Sequence, residues 1–231
     1  MTPPTLNLTV QEKSGARALS FPVKRLVCSG WVGRDRAALQ AHIDELAELG
    51  VGGPTRTPIF MNFPPYLVNS ADAVEVISEE SSGEVEYVVL KSEGRAFVGV
   101  GSDHTDRGFE KHSVPASKLM YPKVLSPVVW PLEEVAEHWD RLIIRSSVTQ
   151  GGKKSLYQEE PLAAILDLAT ILAAMPKTDG PADDGLVLFS GTIATKGGLI
   201  YGSRFDFEME DPVLGRKTGH GYDVRILPQY I

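Results

Sequence analysis

The chain has 231 residues, of which 42% are hydrophobic and 23% are charged, and its formal net charge at pH 7 is −7. This composition is typical of a soluble globular protein and excludes wholesale disorder, collagen-like repeats and coiled coils. Because an acidic chain without a basic block has nothing to offset phosphate repulsion, we expect no general binding to nucleic acids or to anionic membrane surfaces.

The single cysteine, Cys28, limits the covalent and metal sites that the chain can build. One thiol excludes an intramolecular disulfide and any multi-cysteine zinc site, and it suits a reducing compartment. No apolar run approaches the roughly 18 residues of a membrane-spanning helix, and the N-terminus lacks a basic start followed by an apolar core. These features predict a cytoplasmic protein with no signal peptide and no transmembrane helix.

Short β-rich runs separated by glycine and proline dominate the sequence. They predict strands at 6–10, 23–31, 84–90, 97–101, 141–148, 185–193 and 204–209. Apolar residues at helical spacing predict two helices, 36–49 with Asp35 as its cap and 160–175 ending at Pro176. The pattern indicates one β-rich α+β domain over residues 1–231. We expect a small N-terminal lobe up to about residue 55 and a core over 56–231.

Two carboxylates stand two residues apart in the run GEVEYVVL, at Glu84 and Glu86. In a strand such residues point to the same face, so the two charges would lie side by side. Like charges at the start of a buried strand repel and need compensation. The alternative is that this is the solvated start of an edge strand.

A second polar cluster, DHTDR at 103–107, follows the glycine-spaced strand at 97–101. Polar residues at a strand exit are typical of a functional site, and glycine lets backbones approach closely. The alternative is a turn with a surface ion pair between Asp106 and Arg107. Asp103 would add a third oxygen ligand to the two glutamates, and such a set favours Mg²⁺, Mn²⁺ or Ca²⁺ over zinc.

These segments resemble motifs of the fumarylacetoacetate hydrolase superfamily. GEVEYVVL resembles its metal-binding strand, Glu-x-Glu followed by apolar residues. GVGSDHTDR resembles its Gly-x-x-x-x-Asp-x-Thr-x-Arg, with one residue fewer between glycine and aspartate. Ser117-Lys118 before Ser126-Pro127, and Phe189-Ser190-Gly191-Thr192, match its lysine segment and its strand ending in Gly-Thr. The order agrees over roughly residues 24–227. In SDHTDR and HIDELAELG the chain also resembles a bacterial branch of unknown function, DUF2848.

The resemblance implies a mixed β-sandwich roll with few helices, and a homodimer. It implies Mg²⁺, with Mn²⁺ or Ca²⁺ as alternatives, held by Glu84, Glu86 and Asp103 and chelating a small 2-oxo or 1,3-dicarbonyl acid. The expected activity is that of a metal-dependent hydrolase or lyase that cleaves C–C bonds, with decarboxylation or isomerisation also found in the family. Two alternatives stay open: a metal-dependent oxo-acid binding protein without turnover, and a degenerate structural scaffold.

The resemblance also assigns roles to a lysine and to a Gly-Thr turn. Lys118 is similar to the family lysine that stabilises the substrate carboxylate or the leaving enolate, and Lys123 is its substitute if the loop register differs. Gly191 and Thr192 resemble the substrate-binding turn. The alternatives are a surface lysine for Lys118 and an ordinary strand end for Gly191-Thr192.

Three positions depart from the family pattern. The family base is a histidine in Arg-Asp-His, and here Arg36 takes its place. Six residues later His42 and Glu45 have i,i+3 spacing on one helical face. We predict them as a displaced water-activating dyad on a mobile helix, the alternative being ordinary exposed residues.

The pocket also differs. Asn62 stands where the family often has lysine, and His104 is not a family residue. Both are assigned to the substrate pocket, with hydrogen bonding behind the site as the alternative for His104.

Overall fold

The computed structural model describes residues 2–48, 53–177 and 184–230, without the side chains of residues 41, 42 and 45–48. The strands are β1 (Thr5–Glu12), β2 (Gly15–Pro22), β3 (Arg25–Gly30), β4 (Ile59–Phe63), β5 (Val68–Asn69), β6 (Ala73–Val76), β7 (Ser81–Ser82), β8 (Val85–Ser92), β9 (Arg95–Asp103), β10 (Thr105–Asp106), β11 (Lys123–Leu125), β12 (Val128–Pro131), β13 (Ile143–Gln150), β14 (Lys153–Pro161), β15 (Leu186–Phe189), β16 (Arg204–Asp211) and β17 (Arg216–Ile226). The α-helices are α1 (Arg36–Glu48), α2 (Arg107–Glu110), α3 (Val114–Leu119) and α4 (Leu168–Ala174). Single 3₁₀ segments span Pro65–Leu67, Leu132–Glu134, Ala136–Arg141 and Leu162–Ala164.

Two mixed sheets form the body of the molecule. A ten-stranded sheet has the order β2-β1-β12-β9-β8-β15-β3-β4, with β11 and β5 attached beside β9. A five-stranded sheet has the order β14-β13-β16-β17-β6, and β10 pairs with β7 in a small third sheet. Most neighbours are antiparallel, whereas β1–β12, β3–β15, β5–β11 and β6–β17 are parallel. This is the β-rich α+β sandwich, with few helices, that the sequence predicts.

Apolar side chains cover both faces of the large sheet. Alternation along β8 sends Tyr87 and Val89 into the core between the two sheets, and Val88 and Leu90 into a second core on the opposite face. A strand buried on both faces reads as a continuous apolar run, which is why β8 lacks polar alternation. Glu86 lies two residues before Val88 in the strand, so its side chain points to the same face of the sheet as that of Val88.

The first predicted helix is confirmed as α1. The side chain of Asp35 accepts hydrogen bonds of 3.0 Å from the backbone N–H groups of Ala37 and Ala38, as its predicted role as a cap requires. The helix begins at Arg36 and is described to Glu48. Residue 49, where the sequence places its end, lies outside the described residues.

The second predicted helix, 160–175, is wrong over its first half. Its first two residues end β14, a 3₁₀ turn follows, and α4 starts only at Leu168, capped by the side chain of Asp167. Ile165 forms a β-bridge with Gly33, and Leu166 N–H donates to the carbonyl of Val32 at 2.8 Å. This backbone pairing holds the segment extended. The apolar residues at helical spacing before Leu168 are therefore buried or half-buried side chains of a segment that is not an α-helix.

The N-terminal strands β1, β2 and β3 lie in the same ten-stranded sheet as β8 and β9. The division into a lobe up to about residue 55 and a core over 56–231 stays a prediction. Each helix in the described part of the chain falls short of the length and apolar character that a membrane span requires.

Candidate metal centre

Three carboxylates meet where β8 begins and β9 ends. Glu84 directly precedes β8, Glu86 lies within it, and Asp103 is the last residue of β9. The strands are antiparallel neighbours, and Asp103 N–H donates to the carbonyl of Glu84 at 2.9 Å. One oxygen from each side chain lies within 4.8 Å of the others. The predicted convergence is confirmed. The alternative of a solvated edge is wrong, because Glu86 is 1% exposed and Asp103 is 0% exposed.

Close packing beside the carboxylates depends on a glycine. Gly101 lies opposite Glu86 in the β8–β9 register. A Cβ atom there would stand 2.6 Å from Phe189 Cε1 and 2.9 Å from the Val124 carbonyl oxygen. The glycine spacing noted in the sequence thus lets Phe189 cover the sheet next to Glu86.

Three basic side chains compensate the carboxylates. Lys118 Nζ donates to Glu84 Oε2 at 2.5 Å and to Asp103 Oδ2 at 2.9 Å. Lys123 Nζ lies 2.7 Å from Asp103 Oδ1, and Arg107 pairs with Glu84 Oε1 at 2.9 Å. Among the described residues, Glu84 and Asp103 each form ion pairs with two of these cations, whereas Glu86 forms none.

Arg107 does not form a surface pair with Asp106. Its guanidinium is buried and bonds Glu84, Glu110 and Ser82. Asp106 instead caps α2 through the N–H of Phe109 at 2.8 Å and accepts from the Tyr121 hydroxyl at 2.9 Å. The alternative of a surface ion pair is therefore wrong: Asp106 and Arg107 are both buried, and each bonds other residues.

The two glutamates have opposite electrostatic environments. Burial acts to raise the pKa of Glu84, but the charges of Arg107 and Lys118 outweigh it and lower that pKa to about 2. Burial raises the pKa of Glu86 well above its ordinary value, and the charge of Asp103 adds to this. Among the described residues Glu86 accepts one hydrogen bond, from Gly191 N–H at 2.8 Å. A further cation at the cluster would therefore stabilise the charged form of Glu86 most.

The structure distinguishes the two candidate lysines. Lys123 is 0% exposed, and besides Asp103 its ammonium bonds the carbonyls of His104 at 3.3 Å, Tyr121 at 3.0 Å and Lys118. Protein acceptors use all three donors of this ammonium, and they also use those of Lys118, which donates to Glu84, Asp103 and Thr105, so the two lysines differ in exposure and in the acceptors that they bond. Lys118 lies at the carboxylates and retains 7% exposure. The geometry favours Lys118 over Lys123 for the predicted substrate contact.

The Gly191-Thr192 turn reaches the site but bonds the protein itself. Gly191 has φ 83°, and its N–H donates to Glu86. The Thr192 hydroxyl donates to the carbonyl of Val85 at 2.8 Å and accepts from Gln158 Nε2 at 2.8 Å. Substrate binding by this turn stays a prediction. Gln158 is a site residue that the sequence does not indicate, since a polar residue in the run YQEE reads as exposed.

His104 lies behind the carboxylates rather than among them. It is 0% exposed, its Nδ1 is joined to the Tyr222 hydroxyl by a 2.9 Å hydrogen bond, and its ring contacts Tyr121 and Phe205. Burial, helped by the charges of Lys123 and Arg107, lowers its pKa to about 3. This position supports the hydrogen-bonding role over a contact with substrate.

Of the remaining predicted residues, the structure places Asn62 away from the carboxylates. Asn62 is exposed on β4, where its Oδ1 accepts from Arg25 Nε at 3.3 Å, and β3 and β15 separate β4 from β8. His42 and Glu45 fall within α1, but their side chains lie outside the described part of the structure. The roles assigned to all three stay predictions.

Comparison with known proteins agrees with this fold. The family model "Protein of unknown function (DUF2848)" matches residues 29–222. No curated protein matches the chain in sequence. Among solved structures, a candidate fumarylpyruvate hydrolase from Burkholderia cenocepacia is similar at TM-score 0.63 and 18% identity, covering 96% of each chain. The apo form of 2-keto-3-deoxy-D-arabinonate dehydratase has TM-score 0.64 at 18% identity, covering 93% of this chain and 78% of that one.

A third similar structure carries the superfamily's name. It is a candidate fumarylacetoacetate hydrolase family protein from Yersinia pestis, with TM-score 0.58 and 17% identity, covering 95% of this chain and all of that one. At these identities the likeness shows a shared fold. The chain therefore belongs to the DUF2848 family, and its fold is that of the fumarylacetoacetate hydrolase superfamily.

Proposed function

We infer that this chain is a divalent-metal-dependent hydrolase or lyase acting on a small 2-oxo or 1,3-dicarbonyl acid, by C–C bond cleavage or decarboxylation. The observation that carries the proposal is the cluster of Glu84, Glu86 and Asp103, whose ligand oxygens lie within 4.8 Å of one another. The names of two similar structures, a candidate fumarylpyruvate hydrolase and a 2-keto-3-deoxy-D-arabinonate dehydratase, support the substrate class.

The donor set fits a hard cation. All three ligands are carboxylate oxygens, as Mg²⁺, Mn²⁺ and Ca²⁺ prefer. Glu86 is buried with one backbone hydrogen bond as its described partner, and a cation would supply the charge that it lacks. When bound, the ion would polarise the carbonyl of the acid as a Lewis acid.

The basic side chains prepare the site around that ion. Arg107 holds one oxygen of Glu84 and Lys123 holds one oxygen of Asp103, so each carboxylate keeps its second oxygen on the side of Lys118. Lys118 places its ammonium between those two oxygens. From there it stabilises the substrate carboxylate or the departing enolate, whose negative charge grows along the reaction.

We assign the general base to His42, with Glu45 orienting its imidazole. Both belong to α1, which follows directly on the segment where Gly33 pairs with Ile165. In this proposal α1 closes over the substrate as a lid, and it belongs to an N-terminal lobe of residues up to about 55 beside a core over 56–231. A homodimer and a cytoplasmic location complete the proposal and rest on the resemblance and on composition.

A second candidate function is an oxo-acid binding protein that holds the metal without turnover. The observation that favours it is Arg36, which stands where the superfamily has its histidine. A structural scaffold is the third alternative, and metal binding by the carboxylates would exclude it.

Titration with Mn²⁺ tests the proposal first. The unaltered chain should bind the ion, and Glu86→Gln should abolish binding while keeping the fold, because glutamine still accepts the Gly191 N–H. A screen of 2-oxo and 1,3-dicarbonyl acids with Mg²⁺ and Mn²⁺ then separates the functions. Turnover supports the enzyme, binding without turnover supports the binding protein, and absence of metal binding contradicts both.

A further inference from the structure

Gln158 and the preceding Tyr157 are the two buried residues of an edge strand that is otherwise exposed or half-buried. Gln158 lies in β14, where residues 153–156 are exposed, and yet its side chain is 0% exposed. The β13–β14 register shifts at this point, since Ser146 pairs with Gln158 whereas Ser147 pairs with Leu156. Such a bulge re-aims side chains. Here it turns Gln158 inward, toward the carboxylate cluster.

The amide of Gln158 uses every hydrogen bond that it can form. Its Oε1 accepts from Val85 N–H and from the Ser146 hydroxyl, both at 3.0 Å. Its Nε2 donates to Thr192 Oγ1 at 2.8 Å and to the carbonyl of Ile193 at 2.7 Å. Two acceptor sites and two donors are the full capacity of a glutamine side chain.

These bonds replace a missing length of strand. β15 pairs with β8 only as far as Val88, and Ser190 N–H extends the contact to the carbonyl of Tyr87. Beyond that point no strand of the described residues lies beside Val85 on this side. The N–H of Val85 donates to Gln158 Oε1 instead, and the carbonyl of Val85 accepts from the Thr192 hydroxyl at 2.8 Å.

The residues held in this way are next to the candidate metal ligands or to a residue that bonds one of them. Val85 lies between Glu84 and Glu86, and Thr192 follows Gly191, which bonds Glu86. We propose that Gln158 is a positioning residue for the carboxylate centre: it locks the backbone between the two glutamate ligands and ties it to the Gly191-Thr192 turn. The assignment rests on the proposed function, because it concerns the geometry in which the glutamates hold the ion.

The test is Mn²⁺ affinity, measured by titration calorimetry, in Gln158→Met. Methionine has a similar length and adds no charge, so it removes the four hydrogen bonds alone. Loss of an outer partner of metal ligands typically weakens affinity about 10–100-fold, and we expect a loss of that size. Gln150→Met is the matched control, since that amide lies at the far end of the same hairpin and bonds only the Tyr201 carbonyl among its described partners. It should keep the affinity of the unaltered chain.

A second pair of variants keeps the test decisive if Gln158→Met fails to fold. Thr192→Val removes the hydroxyl that links Gln158 to Val85, and Thr192→Ser keeps it. We expect weaker Mn²⁺ binding in Thr192→Val and recovery in Thr192→Ser. If Gln158→Met or Thr192→Val binds Mn²⁺ as tightly as the unaltered chain, the inference alone is overturned. If the unaltered chain binds no Mn²⁺, the proposed function falls and the inference with it.

Discussion

Lys123 and Asp103 form an ion pair that is closed to solvent: Nζ lies 2.7 Å from Oδ1, and both side chains are 0% exposed. The same ammonium bonds three backbone carbonyls: that of Lys118 in α3, that of Tyr121 between α3 and β11, and that of His104 directly after β9. The pair therefore links the start of β11, where Lys123 lies, to Asp103, the third carboxylate of the candidate metal centre.

Lys123→Met should destabilise the protein strongly. The substitution leaves the Asp103 carboxylate buried with one of its two cations missing, and breaking such a pair from one side costs about 3–5 kcal/mol. Urea unfolding measures the change. Lys154→Met is the control, because its pair with Asp206 is on the surface, and it should cost no more than about 1 kcal/mol. Equal, small losses in the two variants would contradict the structural role of Lys123.

Lys118→Met should separate catalysis from metal binding. Without this ammonium, kcat and kcat/KM should fall together, because its contact strengthens as negative charge develops in the transition state. Mn²⁺ affinity should be retained or increased, since Glu84 and Asp103 lose a competing positive charge. Steady-state kinetics and calorimetry measure the two effects. Unchanged kinetics would contradict the role proposed for Lys118.

His42→Ala tests the displaced base. Loss of a positioned general base typically reduces the rate about 10²–10⁴-fold, and we expect a reduction of kcat in that range. Glu45→Gln should have a smaller effect, and metal affinity should stay unchanged in both. His112→Ala, at an exposed position, is the matched control.

Near-full turnover in His42→Ala would contradict the dyad. His104 would be the next candidate base, although it is buried and its pKa is lowered to about 3. The remaining explanation would be a decarboxylation that needs no activated water.

Asp211 should contribute to stability in a pH-dependent way. Burial acts to raise its pKa, but the N–H groups of Leu214 and Val213 and the His138 side chain outweigh it, so the pKa lies below the ordinary value of 3.8. A lowered pKa stabilises the folded state above the unfolded-state value, and this contribution is lost as pH falls through the folded-state value.

Asp211→Asn should therefore lower the free energy of unfolding at pH 7, and the difference from the unaltered chain should shrink as pH falls below about 3.8. Chemical denaturation at a series of pH values measures it. Asp72→Asn, at a side chain that is 94% exposed, should change stability little at pH 7. A difference that stays constant or grows toward acid pH would contradict the assignment.

Local patterns predicted the features that depend on neighbours in sequence. The alternation of a strand places Glu84 and Glu86 on one face whatever surrounds it. The cap by Asp35 is equally local, because its acceptor reaches residues two and three positions ahead. The first half of the helix predicted at 160–175 is wrong and shows the limit of such patterns, since the segment at Ile165 pairs with Gly33 far away in sequence.

The sequence by itself therefore determined the β-rich class, the paired glutamates, the aspartate that joins them, and the motif order that identifies the fold. Only the tertiary structure decided which cation neutralises which carboxylate, and that Gln158 closes the gap beside Val85. These contacts join residues 15 positions apart for Lys118 and Asp103, and 73 positions apart for Gln158 and Val85. The periodicity of a strand or helix cannot predict contacts over such separations. These partners are selected in the folded protein, because charged and polar groups buried in a shared low-dielectric core must pair with one another.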